Sequence, residues 1–255
     1  MRNTLAIARK ELRSYFASPI GYIAVGVFAL LYGYFYVAML DYFVRQSMQA
    51  GQFGGPQAMN VNQMMIRPLL QNVTILLLFV MPMITMRAYA EEKRSGTIEL
   101  LLTSPLSDAE IIVGKFLGAL LLWCLMLAVS LIHLALLYAY GRPEWKPIVT
   151  AYLGLVLMGG CFISVGLFIS SLTKNQVVAA VVTFAVFLFL WIITWIGSFS
   201  GPTVDSVTQY LSIVDQFDDF AKGVIDTSHI IYYVSFIGFG LFLTAKSVDS
   251  ERWRG

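Results

Sequence analysis

From Leu69 to Met86 the chain reads LLQNVTILLLFVMPMITM, a run without Asp, Glu, Lys or Arg, and after Arg87-Ala88-Tyr89-Ala90 it continues as EEKRSGTIELLL, Glu91 to Leu102. A bilayer core about 30 Å thick takes roughly 20 apolar helical residues, so the first run reads as a membrane span. The second cannot lie in lipid. Ile98, Leu101 and Leu102 fall at i, i+3 and i+4, which gives a short helix one apolar face while Glu91, Glu92, Lys93 and Arg94 point elsewhere. That pattern suits a docking helix, with an apolar edge to seat in a partner's groove and charges to orient it. A solvated amphipathic loop resting on the membrane surface fits the same pattern.

Composition sets the class. Hydrophobic residues make up 58% of the 255 residues and charged residues 13%, with a mean hydropathy of +0.74. Soluble domains average about 45–50% apolar and about 25% charged, so the chain is read as an all-α integral membrane protein. Runs near 19–40, 69–86, 116–140, 148–171, 177–199 and 229–245 supply six transmembrane helices in a single domain, 1–255. Six spans leave no room for a soluble catalytic domain.

The basic residues orient these spans. With the N-terminus cytoplasmic, Arg2, Arg9, Lys10, Arg13, Arg87, Lys93, Arg94, Lys115, Lys174, Lys246, Arg252 and Arg254 lie inside, and only Arg45, Arg67, Arg142, Lys146 and Lys222 outside. This is the positive-inside distribution. It predicts an inner-membrane protein with both termini cytoplasmic, as an even number of spans requires.

Ahead of Pro19, Leu5, Ala8, Leu12 and Tyr15-Phe16 recur at helical spacing, with Arg9, Lys10 and Arg13 interleaved. Residues 1–17 therefore read as an amphipathic helix in the headgroup plane, and the following apolar run as an uncleaved anchor rather than a signal peptide. Pro82 is expected to kink the second span, and Pro105 to stop the helix of the 87–106 segment. Ser107-Asp108-Ala109-Glu110 is a capping box opening the third span, with Lys115 placed to snorkel toward the interface. Thr173-Lys174-Asn175-Gln176 makes spans four and five a tight hairpin. On the outer side, residues 41–67 suggest no chemistry. Residues 200–228 alternate apolar positions with Asp205, Asp215, Asp218, Asp219 and Asp226, which predicts short amphipathic extracytoplasmic helices before the last span.

Several chemistries find no support. Gly114-Lys115-Phe116 lacks the rest of a phosphate-binding loop. Cys124 and Cys161 are solitary and sit within spans; His133 and His229 have no partner at ligand spacing, and the aspartates lack a calcium-loop pattern. No metal site is expected. No acidic or basic residue is expected deep in a span, which speaks against an ion-coupled carrier or an intramembrane enzyme.

Taken together, the basic Ala8-Arg9-Lys10-Glu11-Leu12 N-terminus, the Ser18-Pro19-Ile20-Gly21-Tyr22 entry to span one, and the Glu91–Leu102 block with Pro105 and Gly114-Lys115 carry a resemblance along the whole chain. The sequence resembles the membrane subunit of an ABC-2-type ABC transporter. Phe217-Asp218-Asp219-Phe220-Ala221-Lys222-Gly223-Val224-Ile225-Asp226 is similar to the branch containing the gliding-motility GldF and nitrous-oxide-reductase-maturation NosY permeases. The resemblance implies a non-catalytic permease subunit that pairs with a second permease, the same or a related chain, and is driven by a separate ATPase that binds ATP and Mg. Residues 1–17, with Arg9, Lys10, Leu12 and Arg13, become the elbow helix. In the 87–106 loop, Glu91, Glu92, Arg94, Gly96, Thr97 and Glu99 become ATPase contacts, with Ile98 and Leu101 seated in its cleft. Membrane lipid is the other expected partner, and nucleic acid is not expected. Two outcomes of the ATPase cycle remain open: export or flipping of a substrate, or mechanical action on an extracytoplasmic protein through Asp215, Asp218, Asp219 and Asp226.

Overall fold

The structure is a computed structural model that describes residues 2–52, 60–98, 106–141, 143–199, 208, 210 and 212–252. Among these the elements are helical: α1 Arg2–Ala17, α2 Pro19–Gln52, a π-helix Asn62–Ile66 running into α3 Arg67–Thr85, α4 Ala90–Ser95, α5 Asp108–Tyr140, α6 Trp145–Ser171, α7 Gln176–Phe199, α8 Asp215–Lys222 and α9 Thr227–Arg252. Six of the helices are long and apolar enough to cross a membrane: α2, the π–α3 run, α5, α6, α7 and α9. They coincide with the six apolar runs of the sequence and extend past most of their ends.

Local chemistry explains the boundaries. Ser107 accepts from the Glu110 N–H and the Glu110 carboxylate accepts from the Ser107 N–H, which completes the capping box at the start of α5. At the α6–α7 hairpin, Asn175 Oδ1 accepts from the N–H groups of Val177 and Val178 and starts α7, with only four residues between the two helices. Pro82 lies inside α3, and Pro105 falls outside the described residues.

The centre of the bundle is α6, which packs against α3, α5, α7, α8 and α9. Small residues let these helices approach closely, as membrane packing requires. A Cβ at Gly159 would stand 2.2 Å from Trp123 Nε1, and one at Gly166 would stand 2.2 Å from Thr85 Oγ1. Both sites are therefore filled by the neighbouring helix. Trp123 is buried and donates to the Leu155 carbonyl at 3.0 Å, so its one polar atom is satisfied inside the apolar core. The glycines Gly114 and Gly118, spaced as in a helix-pairing motif, face α1: a Cβ would meet Ile7 at 2.7 Å and Glu11 at 2.6 Å respectively. Their packing is satisfied within the chain.

The two ends of the bundle are tied differently. At the far end, Asn62 and the backbone of Glu144 exchange two hydrogen bonds, 2.8 and 3.0 Å, joining the entries of α3 and α6. At the near end, α1 and the last turns of α9 both meet the segment that follows α3. The described start and end of the chain thus share one end of the bundle.

Candidate functional site

At the near end, α3 stops at Thr85, and residues 86–89 form a turn leading into α4. The turn leaves backbone groups without helical partners. Ser170 of α6 supplies them: its Oγ accepts from the N–H of Tyr89 and of Ala90 and donates to the Met86 carbonyl. The break at the end of span two is therefore held from behind by the central helix. Tyr15 of α1 adds a bond to the Ile84 carbonyl at 2.9 Å, and Arg87 pairs with Glu91 at 2.6 Å while donating to Ser18.

Behind α4 lies a buried ionic cluster. The Lys115 side chain is 1% exposed, and its ammonium does not reach the surface along α5. It turns inward and donates to Glu11 at 3.1 Å, Glu92 at 2.7 Å and the Ala88 carbonyl at 2.8 Å, and it sits 5.1 Å from the Tyr89 ring centroid. Three donors meet three acceptors, so the ammonium is fully satisfied. Lys10 then bridges Glu11 and Glu92 from the outside, at 3.3 and 3.4 Å. Burial works against the charge on Lys10, but the two carboxylates outweigh it and hold its pKa above the ordinary value. Two ammoniums and two carboxylates thereby join α1, α4 and α5.

The next residue points the other way. Lys93 is buried, pairs with Glu251 of α9 at 2.6 Å and donates to the Ser171 carbonyl at the end of α6. Adjacent residues of one short helix, Glu92 and Lys93, thus anchor it to opposite parts of the bundle. The outer edge of the segment stays open: Arg94, Ser95, Gly96 and Thr97 are exposed. Gly96 has φ +71°, the left-handed conformation that ends α4 and turns the chain. Between α1 and this segment is a cleft of about 290 Å³, lined by Lys10, Ser14, Tyr15, Arg87, Glu91 and Thr97 among others.

A family model described as ABC-2 family transporter protein matches residues 5–245. The chain belongs to the ABC-2 family of transporter proteins. No curated protein matches it significantly. Membership and the six apolar helices make this ABC-2 chain a multi-pass membrane transport subunit.

Of the residues singled out in the sequence of this ABC-2 chain, Glu91, Glu92, Arg94, Gly96 and Thr97 come together at the near end with Lys10 of α1. Glu92 faces inward, and Ile98 is buried in the chain's own core. Glu99 and Leu101 lie outside the described residues. Arg9 and Arg13 are exposed on α1, and Leu12 is half-buried. Sequence reasoning missed the internal roles of Lys93 and Lys115. The signal available was a lysine seven residues inside an apolar helix, which needs a carboxylate unless it reaches water.

Of the far-end aspartates, Asp218 and Asp219 are brought together, with partners inside the chain, and Asp205 lies outside the described residues. Asp218 accepts from Arg67 at 2.6 Å, Gln71 at 2.8 Å and Lys222 at 2.6 Å; Asp219 pairs with Lys222 and His229, each at 3.0 Å. Burial raises the Asp218 carboxyl, but its bonds from Lys222 and Arg67 prevail and hold it below the usual range; the bonds from Lys222 and His229 do the same for Asp219. Asp226 accepts from the Ser228 N–H and hydroxyl at the start of α9. Among the described residues no group of three His, Cys, Asp or Glu could hold a metal ion.

Proposed function

We propose that this chain is the permease subunit of an ABC transporter in a bacterial inner membrane, with both termini cytoplasmic, and that a separate ATPase binding ATP and Mg docks on the near end. The observation that carries the reading is the α4 segment. Its outer edge, Arg94 to Thr97, is exposed, while its inner side is bolted to α1 and α5 through Glu92 and to α6 and α9 through Lys93. Such a segment passes a push from outside to both parts of the bundle, because packed helices and buried ion pairs shift as units rather than deforming continuously. Family membership supports the ATPase partner, and the excess of basic residues at the near end supports its cytoplasmic placement. Glu91, Arg94, Gly96 and Thr97, with Glu99 and Leu101 beyond them, are the contacts, and a second permease subunit completes the transporter.

Export or flipping of a substrate is the activity this arrangement serves best. The Phe217–Asp226 stretch favours a second outcome, transmission of the stroke to an extracytoplasmic protein, as in the GldF/NosY-like branch. In that reading α8 is the moving part, since Arg67 and Gln71 of span two hold its Asp218 directly. The test is to reconstitute the chain with its cognate Walker-motif ATPase and replace Asp215 and Asp219 by Asn. Retained substrate-stimulated ATP hydrolysis and transport support the permease reading. Retained hydrolysis with loss of an extracytoplasmic partner supports the mechanical one. ATP hydrolysis indifferent to the presence of this chain overturns both.

A further inference from the structure

The cations that line α1 and the ionic cluster beside it differ in their partners. Lys10, Arg87, Lys93 and Lys115 all have carboxylate partners. Arg2, Arg9 and Arg13 have none among the described residues, and all three are exposed. At 100° per residue they fall within about 40° of each other around α1, so they form one row along the helix. The face opposite the row is the one that buries Ala8, Glu11 and Tyr15 against the bundle.

What borders the row decides what it meets. On one side lie Lys10 and Ser14, facing the α4 cleft. On the other side lies an apolar shoulder of Leu5, Leu12 and Phe16, with Leu5 64% exposed. Phe16 packs edge-on against Tyr22 of α2, ring centroids 5.4 Å apart. Tyr22 and Ile23 are themselves exposed and begin the outward apolar surface of the first span, which continues to Leu30. An outward apolar surface of this kind on a membrane-spanning helix suits acyl chains. The shoulder of α1 continues it without a break, and Ser18 alone separates α1 from α2. The arginine row is therefore held at the edge of the lipid-covered surface, where the phosphates of one leaflet lie.

We propose that Arg2, Arg9 and Arg13 bind anionic phospholipid headgroups and that α1 reports the lipid charge to α4. The row supplies guanidinium groups that have no carboxylate partner among the described residues, and guanidinium matches phosphate in geometry as well as charge. The opposite face of the same helix carries Glu11, whose carboxylate shares Lys115 with Glu92. A shift of α1 toward or away from the leaflet thus acts on α4 through a buried ion pair. The proposal rests on the spans and on α1 itself; its first arm needs no ATPase and fails separately from the permease reading.

The test uses the full chain purified in mild detergent, with native mass spectrometry of the lipids it retains when offered phosphatidylglycerol and phosphatidylcholine in equal amounts. Each basic residue near an anionic surface is worth about fivefold in association at low salt, so the wild type should prefer phosphatidylglycerol on the order of tenfold or more. The preference should collapse when Arg2, Arg9 and Arg13 are all replaced by Gln, shrink in high salt, and persist in Arg94→Gln, which lies outside the row. Equal retention of the two lipids by the wild type overturns the proposal, as does an undiminished preference in the triple variant. If the triple variant keeps its lipid preference but loses the cognate ATPase, the row belongs to the protein partner and the lipid assignment is wrong.

Discussion

Lys115 shows how a charge is kept inside an apolar bundle: three donors, three acceptors, and an aromatic face beside them. Removing one member of a buried ionic cluster costs more than removing all of it, because the survivors are left unpaired. Lys115→Met should therefore lower stability by about 3–5 kcal/mol, read as thermal unfolding in detergent. The triple change Glu11→Gln, Lys115→Met, Glu92→Gln should recover most of that loss; a triple variant as unstable as the single one would mean that the cluster is not the source. Glycines give a second contrast. Gly166→Ala drives a methyl into Thr85 and should cost about 1–3 kcal/mol, as overpacking does, whereas nothing lies within 4 Å of a Cβ at Gly26. Gly26→Ala should leave the melting temperature unchanged or slightly raised, and equal losses at both positions would contradict the packing described.

At the scale of elements, α4 depends on Gly96, whose φ of +71° no proline can adopt. Gly96→Pro should abolish ATPase association while leaving membrane insertion and the lipid preference of α1 intact. Normal association would remove the segment from the interface. The α8 helix depends on Asp218 and Asp219, whose carboxyls are held below the ordinary 3.8. A depressed carboxyl stabilises the fold above its unfolded pKa and stops doing so as pH falls through the lowered folded value. Hydrogen exchange in α8 should therefore show these contributions complete at neutral pH and lost only below about 3.8, with Asp218→Asn reproducing part of that loosening at pH 7. These elements also show what the sequence makes legible. The six spans, the Ser107 capping box and the Asn175 turn are local patterns, and each is found where its residues predict. Glu92 meets Lys115 across 23 residues and Glu11 meets it across 104. No local periodicity encodes such a pairing, so Glu92 and Lys93 read as outward charges until the bundle brings their partners to them.

In the whole molecule the two ends of the bundle are built differently. The near end gathers α1, the turn after span two and the last turns of α6 and α9 around α4; the far end pins α8 to the entry of α3 by Asp218 and to α9 by Asp219. Between them α6 contacts both α8 and α9, and through Ser170 it holds the turn before α4. A displacement of α4 by an ATPase thus has a continuous packed route to the opposite face. The measurement that tests this most directly is site-specific photo-crosslinking in native membranes, with a benzophenone amino acid placed at Arg94 or Thr97 and, as the opposite-end control, at Tyr140, which is 93% exposed. Probes at Arg94 and Thr97 should capture a Walker-motif ATPase, and the probe at Tyr140 should not. Capture from Tyr140, or from neither end while the complex is intact, would contradict docking at α4.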